Sequence, residues 1–281
     1  MLTQKRDSSQ LLLFETYLQQ EERAPGTIEK YLRDVRAFLA WLQDKPLSKA
    51  CVTEWKGVLS ARGYAPVTIN SMLASLHCYL AFLDRRDCRV NFLKVQRKLF
   101  RDAGRELTKE EYRRLVEAAA QLGKDRLALL LEAIGATGIR VSEVKYLTVA
   151  AAQQGYAEVA LKGKIRTIFL PKKLCRKLKA YAKKQKIASG EIFLTRSGKG
   201  LSRCQIWAEM KALCRHAGIE ASKVFPHNLR HLFAVTFYRV SHDVAKLADI
   251  LGHSSIETTR LYLISTGSEH ARQLNRLGLV E

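Results

Sequence analysis

Apolar side chains recur at intervals of three and four along much of this chain, and that spacing constrains the fold more than any other feature. The clearest run follows Pro25 and comprises Ile28, Tyr31, Leu32, Val35, Phe38, Leu39 and Leu42. A second run follows Pro66 and comprises Ile69, Met72, Leu73, Leu76 and Leu80. This spacing places side chains on one face of an α-helix. With shorter helices at 11–19 and 52–61, the runs predict a small helical bundle.

A second domain begins where this pattern lapses. Between Val95 and Leu107 the apolar spacing is lost and the sequence becomes basic, which is typical of a linker. Thr108, followed three residues later by Glu111, has the form of a capping box at a helix start. We therefore divide the chain into a helical domain at 1–97, a linker at 98–105 and a second domain at 106–281.

The second domain combines helices with one small sheet. Helical segments are predicted at 115–120, 127–135 and 142–147, and over most of the chain from Lys173 onward. Between them, apolar or β-branched stretches at 156–161 and 167–170 flank a basic turn, which predicts a strand, a turn and a strand. The expected fold class is therefore mostly α, with a small β-sheet in the second domain.

The charge of the chain indicates its partner. Lys and Arg number 48 against 27 Asp and Glu, and the basic residues are spread along all 281 positions. A formal net charge of +21 favours a polyanion, although a basic but otherwise ordinary protein is the alternative on charge alone.

Several classes of protein are not indicated. The 6 cysteines form no CxxC pair and no cluster at metal-ligand spacing, which is typical of reduced thiols in a cytosolic protein. We find no secretion signal or membrane span, and no glycine-rich phosphate loop. The sequence therefore predicts no cofactor, no metal and no membrane partner.

Four short motifs carry candidate chemistry. They are the segment from Gly138 to Glu143 with Arg140 within it, His227 with Arg230, Leu251-Gly252-His253, and Tyr262. Taken singly, each is weak, because histidine and arginine three apart on a helix more often pair with backbone or carboxylate groups. Their order along the chain is what makes them informative.

In this order, with a lysine turn about twenty residues after Arg140, the motifs resemble the tyrosine recombinase (integrase) family, specifically its simple Xer-like members. The resemblance implies a two-domain DNA clamp, made of a helical core-binding domain and a catalytic domain. It implies site-specific strand exchange by transesterification through a 3′-phosphotyrosine, two strands at a time via a Holliday junction. The alternatives are strand relaxation of the type IB topoisomerase kind and a non-catalytic DNA-binding protein on the same fold.

The resemblance also implies roles for individual residues. Tyr262 corresponds to the nucleophile, and Arg140 and Arg230 to the pair that binds the non-bridging oxygens of the scissile phosphate. His227 corresponds to the general base or proton relay. His253 corresponds to a hydrogen-bond donor to the phosphate, the alternative being a histidine that only closes a helix after Gly252.

Two further roles are less sharply placed. Lys162 corresponds to the general acid for the leaving 5′ oxygen, but this turn is one residue shorter than the family's usual pattern, so Lys164 is the alternative. Glu143 corresponds to an acidic residue that holds a catalytic side chain, the alternative being an ordinary surface carboxylate. Such a mechanism uses arginines in place of a divalent metal.

Basic residues on expected solvent faces, in the linker and in the lysine turn are candidate DNA contacts. They are Lys30, Arg33, Arg36, Arg97, Lys98, Arg101, Lys164 and Arg166. The implied partners are double-stranded DNA with inverted core half-sites and other copies of the chain, two on a site and four in the synapse. A partner recombinase or directionality factor is compatible with this, as are integration, inversion and chromosome-dimer resolution.

A C-terminal helix at about 266–281 is expected to dock on a neighbouring subunit, or else to fold back on its own domain. The expected location is the cytoplasm, at the nucleoid.

Overall fold

The computed structural model describes residues 2–95, 103–161, 164–253, 255–260, 262 and 275–277; for residues 2–8, 103, 161 and 164 it describes the backbone alone. The chain divides into two compact units, Met1–Arg97 and Lys98–Glu281. Along the described ranges, no helix combines the length and the apolar character that crossing a bilayer requires.

The first unit is a bundle of four helices. They are α1 (Leu2–Gln20), α2 (Pro25–Leu42), α3 (Lys49–Ala61) and α4 (Pro66–Phe82). Proline opens α2 and α4 because the first helical position needs no backbone N–H, and the Ser48 side chain caps α3. Phe14, Phe38, Trp55 and Tyr79 fill the core. The first helix starts well before the predicted residue 11, because its polar opening carries no apolar period to reveal it.

A largely buried polar network joins α2 to α4. Lys30 Nζ donates to Asp34 Oδ2 at 2.6 Å, to Ser71 O at 3.0 Å and to Ser75 Oγ at 2.9 Å. The Asp34 side chain is only 3% exposed, and its charge is offset by this cation and by Arg33, whose Nη2 lies 3.2 Å from Asp34 Oδ1. Lys30 was expected to contact DNA from a solvent face; in the DNA-free structure its side chain is 32% exposed and its ammonium is engaged in this network. Arg33 and Arg36 do lie on the exposed side of α2.

The second unit is mostly helical and contains one antiparallel hairpin. Its helices are α5 (Lys109–Gln121), α6 (Asp125–Thr137), α7 (Val149–Gln154), α8 (Lys172–Lys184), α9 (Arg203–Lys211), α10 (Cys214–Ala217), α11 (Pro226–Ser241), α12 (Val244–Leu251) and α13 (Ile256–Arg260). The capping box predicted for Thr108 and Glu111 is present at the start of α5. The prediction of a mostly α fold with a small sheet is confirmed.

The hairpin departs from its predicted register. Strands β1 (Tyr156–Leu161) and β2 (Lys164–Phe169) pair so that Leu161 lies opposite Lys164. The connection is therefore two residues long, and β2 begins three residues earlier than predicted. The charged residues at its start concealed the strand alternation, in which Ile165 is exposed and Arg166 points inward. The predicted helix at 142–147 is instead a 3₁₀ helix, Val141–Tyr146.

Candidate active site

The site forms where the end of α6, strand β2, helix α11 and the end of α12 meet. Helix α6 ends at Gly138, whose φ of +63° is left-handed. A Cβ atom there would lie 2.4 Å from the Phe233 ring of α11, so only glycine fits the turn. The turn buries Ile139 and directs Arg140 into the site.

Glu143 is the anionic centre of the site. It is fully buried, and its two oxygens accept from Arg140, from the backbone N–H at 3.0 Å and from Nη1 at 2.8 Å. Arg166 forms a second ion pair with the same carboxylate. Burial by itself would raise the pKa of Glu143, but these hydrogen bonds and the two cations lower it below its ordinary value. The alternative of an ordinary surface carboxylate is therefore wrong.

Arg230 is held by backbone carbonyls. Its side chain lies on α11 and is almost fully buried, with Nη1 donating to Gly138 O at 2.6 Å and Nη2 to Leu251 O at 2.7 Å. Both carbonyls belong to helix C-termini, where the helix dipole favours a cation. Burial, followed by the charge of Arg140, lowers the pKa of Arg230 to about 10, so the group remains charged at neutral pH.

The C-terminal end of α12 gathers three guanidinium groups on three successive carbonyls. The pairs are Arg166 Nη1 with Ile250 O at 2.9 Å, Arg230 Nη2 with Leu251 O at 2.7 Å, and Arg140 Nη2 with Gly252 O at 3.2 Å. Glu143 neutralises only part of this charge, so the site is suited to an anion.

His253 is fixed in one tautomer. Its Nε2 lies 3.0 Å from Arg230 Nη2, which can only donate, so Nε2 accepts and the proton resides on Nδ1. Nδ1 lies 2.8 Å from Thr259 Oγ1 and donates to it. Burial, then the charges of Arg230 and Arg140, lower the pKa of His253 to about 4. The backbone N–H of His253 also closes α12, so the predicted capping role is present beside the ring's place in the site.

Tyr262 lies among three histidines of its own chain. Its side chain is 7% exposed, and its ring centroid is 5.5 Å from those of His227, His231 and His253. Tyr262 lies beside Arg230 and interacts electrostatically with its guanidinium. The predicted nucleophile therefore lies beside one of the predicted phosphate-binding arginines within a single chain.

His231 is a site residue that sequence reasoning missed. It is buried, and its Nε2 lies 3.2 Å from Tyr262 O. It follows His227 by four residues, so both lie on the same face of α11. Two histidines four residues apart on a predicted helix are a usable signal for this residue, although His231 stands outside the His227 and Arg230 motif.

The structure thus brings together Arg140, Glu143, His227, Arg230, His253 and Tyr262. Lys162, Arg97, Lys98 and Arg101 lie outside the described residues, as does most of 266–281, and only the backbone of Lys164 is described. Arg166 was expected to contact DNA; in the DNA-free structure its guanidinium faces Glu143 and α12. In the described ranges, no three His, Cys, Asp or Glu side chains are grouped as metal ligands.

Comparison with known proteins gives matches along most of the chain. A model of the phage integrase family matches residues 105–269, and one of the phage integrase N-terminal SAM-like domain matches 11–87. Tyrosine recombinase XerA of Thermococcus kodakarensis is 32% identical over 270 residues, which is 92% of each chain.

Two solved structures share the fold. A lambda integrase dimer bound to a core site matches with a TM-score of 0.71 at 17% identity, covering 91% of this chain and 94% of that chain. XerH recombinase bound to its difH substrate before cleavage matches with a TM-score of 0.67 at 20% identity, covering 87% and 78%. The family match over 105–269 includes every residue of the assembled site and, with the XerA relative, confirms the resemblance. The chain therefore belongs to the phage integrase family of tyrosine recombinases and is a Xer-like site-specific recombinase.

Proposed function

We propose that Tyr262 attacks the phosphorus of a DNA phosphodiester, becomes joined to the 3′ end and releases the 5′ hydroxyl. The observation that carries the proposal is the placement of Tyr262 beside Arg230 and among site histidines, next to guanidinium groups fixed by the same chain. Attack by a 5′ hydroxyl of a second strand reverses the step and rejoins the DNA. Because the phosphotyrosine bond conserves the energy of the phosphodiester, the exchange needs no nucleotide.

Arg140 and Arg230 bind the non-bridging oxygens in this proposal. Negative charge on these oxygens grows as phosphorus becomes five-coordinate, and fixed cations stabilise that state more than the starting one. The carbonyls at the end of α12 and Glu143 hold both groups before DNA arrives, which supports this role. Arginine suits the task because its fork of donors matches two oxygens.

Two proton transfers complete the reaction. Tyrosine has an ordinary pKa near 10, so its phenol needs a base or neighbouring cations to lose its proton at neutral pH. His227 receives that proton, and its ring beside Tyr262 supports the assignment. Lys162 gives a proton to the departing 5′ oxygen, with Lys164 as the alternative donor. His253 donates to the phosphate once a proton is present on Nε2.

DNA binding completes the proposed function. Arg33, Arg36, Arg97, Lys98, Arg101 and Lys164 contact phosphates of a duplex with inverted core half-sites. Two copies occupy a site, as two copies of lambda integrase do on a core site, and four form the synapse. Strands are exchanged in pairs through a Holliday junction, with the segment at 266–281 linking neighbours.

Domains 1–97 and 106–281, joined by the linker at 98–105, close on DNA as a clamp in this proposal. The enzyme acts on cytoplasmic, nucleoid DNA, and a partner recombinase or directionality factor fits the scheme.

Covalent capture tests the chemistry. A pool of duplexes with randomised cores carries a nick near the cleavage position. After cleavage, the short fragment that bears the released 5′ hydroxyl diffuses away, so the strand cannot be rejoined. Adducts that survive denaturation are then isolated. The wild-type protein should yield adducts that mass spectrometry locates on Tyr262, and Tyr262→Phe should yield none. Nucleotide attached to another residue, or equal yields from both proteins, would refute the proposal.

Strand exchange tests the outcome of the reaction. Two captured sites carrying different labels are mixed with the wild-type protein. Swapped labels support recombination, whereas cleavage that only reseals the original strands would support relaxation instead.

A further inference from the structure

Arg166 occupies a place in the site that its expected role as a DNA contact does not explain. Its side chain is 15% exposed, and both terminal nitrogens are used within the protein. Nη2 donates to Glu143 Oε2, and Nη1 donates to Ile250 O at 2.9 Å. The group therefore connects strand β2 to the end of α12.

Both neighbours of Arg166 also hold Arg140. Glu143 accepts from Arg140 Nη1 at 2.8 Å through its other oxygen, Oε1. Gly252 O accepts from Arg140 Nη2 at 3.2 Å. A Cβ atom built on Gly252 would lie 2.4 Å from Arg166 Cδ, so the arginine stem packs directly on the backbone that binds Arg140. A shift of Arg166 would thus move both groups that orient Arg140.

Stability alone is a poor explanation for this arrangement. Arg166 Nε is buried and has no hydrogen-bond partner in the described part of the chain. Burial and the neighbouring charge of Arg140 lower the pKa of Arg166, which means that these surroundings destabilise its charged form. Apolar residues often stabilise a buried position at least as well as a buried ion pair.

We propose that Arg166 is a positioning residue that sets the orientation of Arg140 through Glu143 and the end of α12. Because Arg166 lies on β2, it also couples the hairpin of β1 and β2 to the phosphate-binding arginines. It makes no contact with DNA. The inference rests on the proposed function, in which Arg140 binds the scissile phosphate.

The test compares Arg166→Gln and Arg166→Lys with a matched control, Arg126→Gln. Arg126 lies in the same unit and also donates to one backbone carbonyl, Leu194 O, and one carboxylate, Glu209. The probe is a nicked duplex recovered by covalent capture with the wild-type protein. A second version carries a methylphosphonate at the scissile position, which removes one negative oxygen.

On the ordinary duplex, Arg166→Gln should form the adduct about 10- to 100-fold more slowly, because misplaced charge stabilises the transition state poorly. Its DNA affinity and salt dependence should match the parent. On the methylphosphonate duplex, the rate of Arg166→Gln should approach that of the parent. A phosphorus centre with one negative oxygen fewer depends less on stabilisation by the charge of Arg140. The rate of adduct formation by Arg166→Lys should lie between those of the parent and of Arg166→Gln, because one ammonium replaces two fixed donors. Arg126→Gln should keep the parental rate on both duplexes.

Three results would overturn the inference while the wild-type protein still cleaves. They are a parental rate in Arg166→Gln, a lost rate that methylphosphonate does not restore, and a salt slope reduced by about one phosphate contact. If the wild-type protein formed no adduct, just as Tyr262→Phe is expected to form none, the proposed function would be contradicted. The premise for the role of Arg166 would then be lost as well.

Discussion

The pKa of His253 reflects its burial and the positive charge of the whole site. Arg230 donates to its Nε2, and Arg140 and Arg166 add further positive charge, so the imidazole is surrounded by cations. A second proton on this ring is therefore disfavoured in the DNA-free protein. A bound phosphate would remove part of that penalty, because its charge is opposite.

The first prediction concerns acid stability. The pKa of His253 is lowered from 6.5 to about 4, so between these values the unfolded chain binds a proton that the folded chain does not. The contribution of the neutral His253 ring to the free energy of unfolding is therefore complete above about pH 6.5. It declines as the pH falls towards 4. At pH 5.5 the loss should be about 1 kcal/mol or less, because the ring is partly exposed. Urea unfolding at pH 7.5 and 5.5 measures it.

The control for this prediction is His253→Gln, which cannot titrate. His77 in the first unit also has a lowered pKa, so the slope of the parent alone proves nothing. Only the difference between parent and variant isolates His253. An identical pH dependence in the two proteins would mean that His253 is already protonated, or titrates normally, in the folded state.

Arg230→Lys tests the second prediction. One ammonium cannot reach Gly138 O and Leu251 O together in the geometry of a fork, so a buried carbonyl loses its donor. We expect a loss of about 1–3 kcal/mol in the free energy of unfolding and at least a 100-fold slower adduct formation. Denaturant unfolding and the nicked duplex assay measure the two effects. A Lys variant equal to the parent in both would show that charge alone is required.

At the scale of elements, the C-terminal end of α12 organises the site. Its last carbonyls each receive a different arginine, and Gly252 lets the chain turn immediately afterwards so that His253 enters the site. A helix C-terminus carries partial negative charge, which offsets part of the repulsion among the cations. The glycine therefore serves both the turn and the packing of Arg166.

The third prediction separates these two uses of glycine. Gly252→Ala places a methyl group 2.4 Å from Arg166 Cδ at a φ of +62°, whereas Gly155→Ala meets no atom within 4 Å at a φ of +86°. Both variants carry the strain of a left-handed residue, about 1 kcal/mol. Only Gly252→Ala should also slow adduct formation, by about 10-fold or more. Equal cleavage by the two variants would contradict the packing argument.

Sequence patterns predicted elements wherever the signal is local. The apolar runs of α2 and α4 and the capping box of α5 depend on neighbours within one or two turns, and these predictions are confirmed. The start of β2 was missed because an inward arginine does not look like a strand residue. Arg166 points inward because Glu143 and the end of α12 accept its hydrogen bonds there. Both partners are distant in sequence, so no local pattern reveals them.

The candidate site divides in the same way. Motif order was enough to select Arg140, His227, Arg230, His253 and Tyr262, which the fold brings together. The networks that orient them were not accessible, because they run between distant segments: Arg140 and Gly252 are 112 residues apart in sequence. Glu143 was selected as a supporting residue, yet its complete burial follows only from packing.

At the scale of the whole molecule, the charge of +21 overstates the number of DNA contacts. Lys30 is committed to Asp34, Arg166 to Glu143, and Lys223 to Glu111 in a largely buried pair. Cations held in such pairs should release no counterions when DNA binds. Those that face solvent, such as Arg36, are available to phosphates.

The last prediction uses salt dependence to separate these two kinds of cation. Arg36→Ala should reduce the slope of log affinity against log salt by about one and leave stability almost unchanged. Lys30→Met should leave the slope unchanged and destabilise the first unit by on the order of 3 kcal/mol, because Asp34 loses its closest cation.

Binding to a captured duplex at several salt concentrations gives the slopes. Unfolding followed by tryptophan fluorescence in a Trp207→Phe background, where Trp41 and Trp55 remain, reports on the first unit. Lys30→Met combined with Asp34→Leu removes the buried charge as well, so it should recover much of the lost stability. If Lys30→Met lowered the slope as much as Arg36→Ala, the Lys30 ammonium would leave its network to meet DNA, and the division of cations drawn from the DNA-free fold would not hold in the complex.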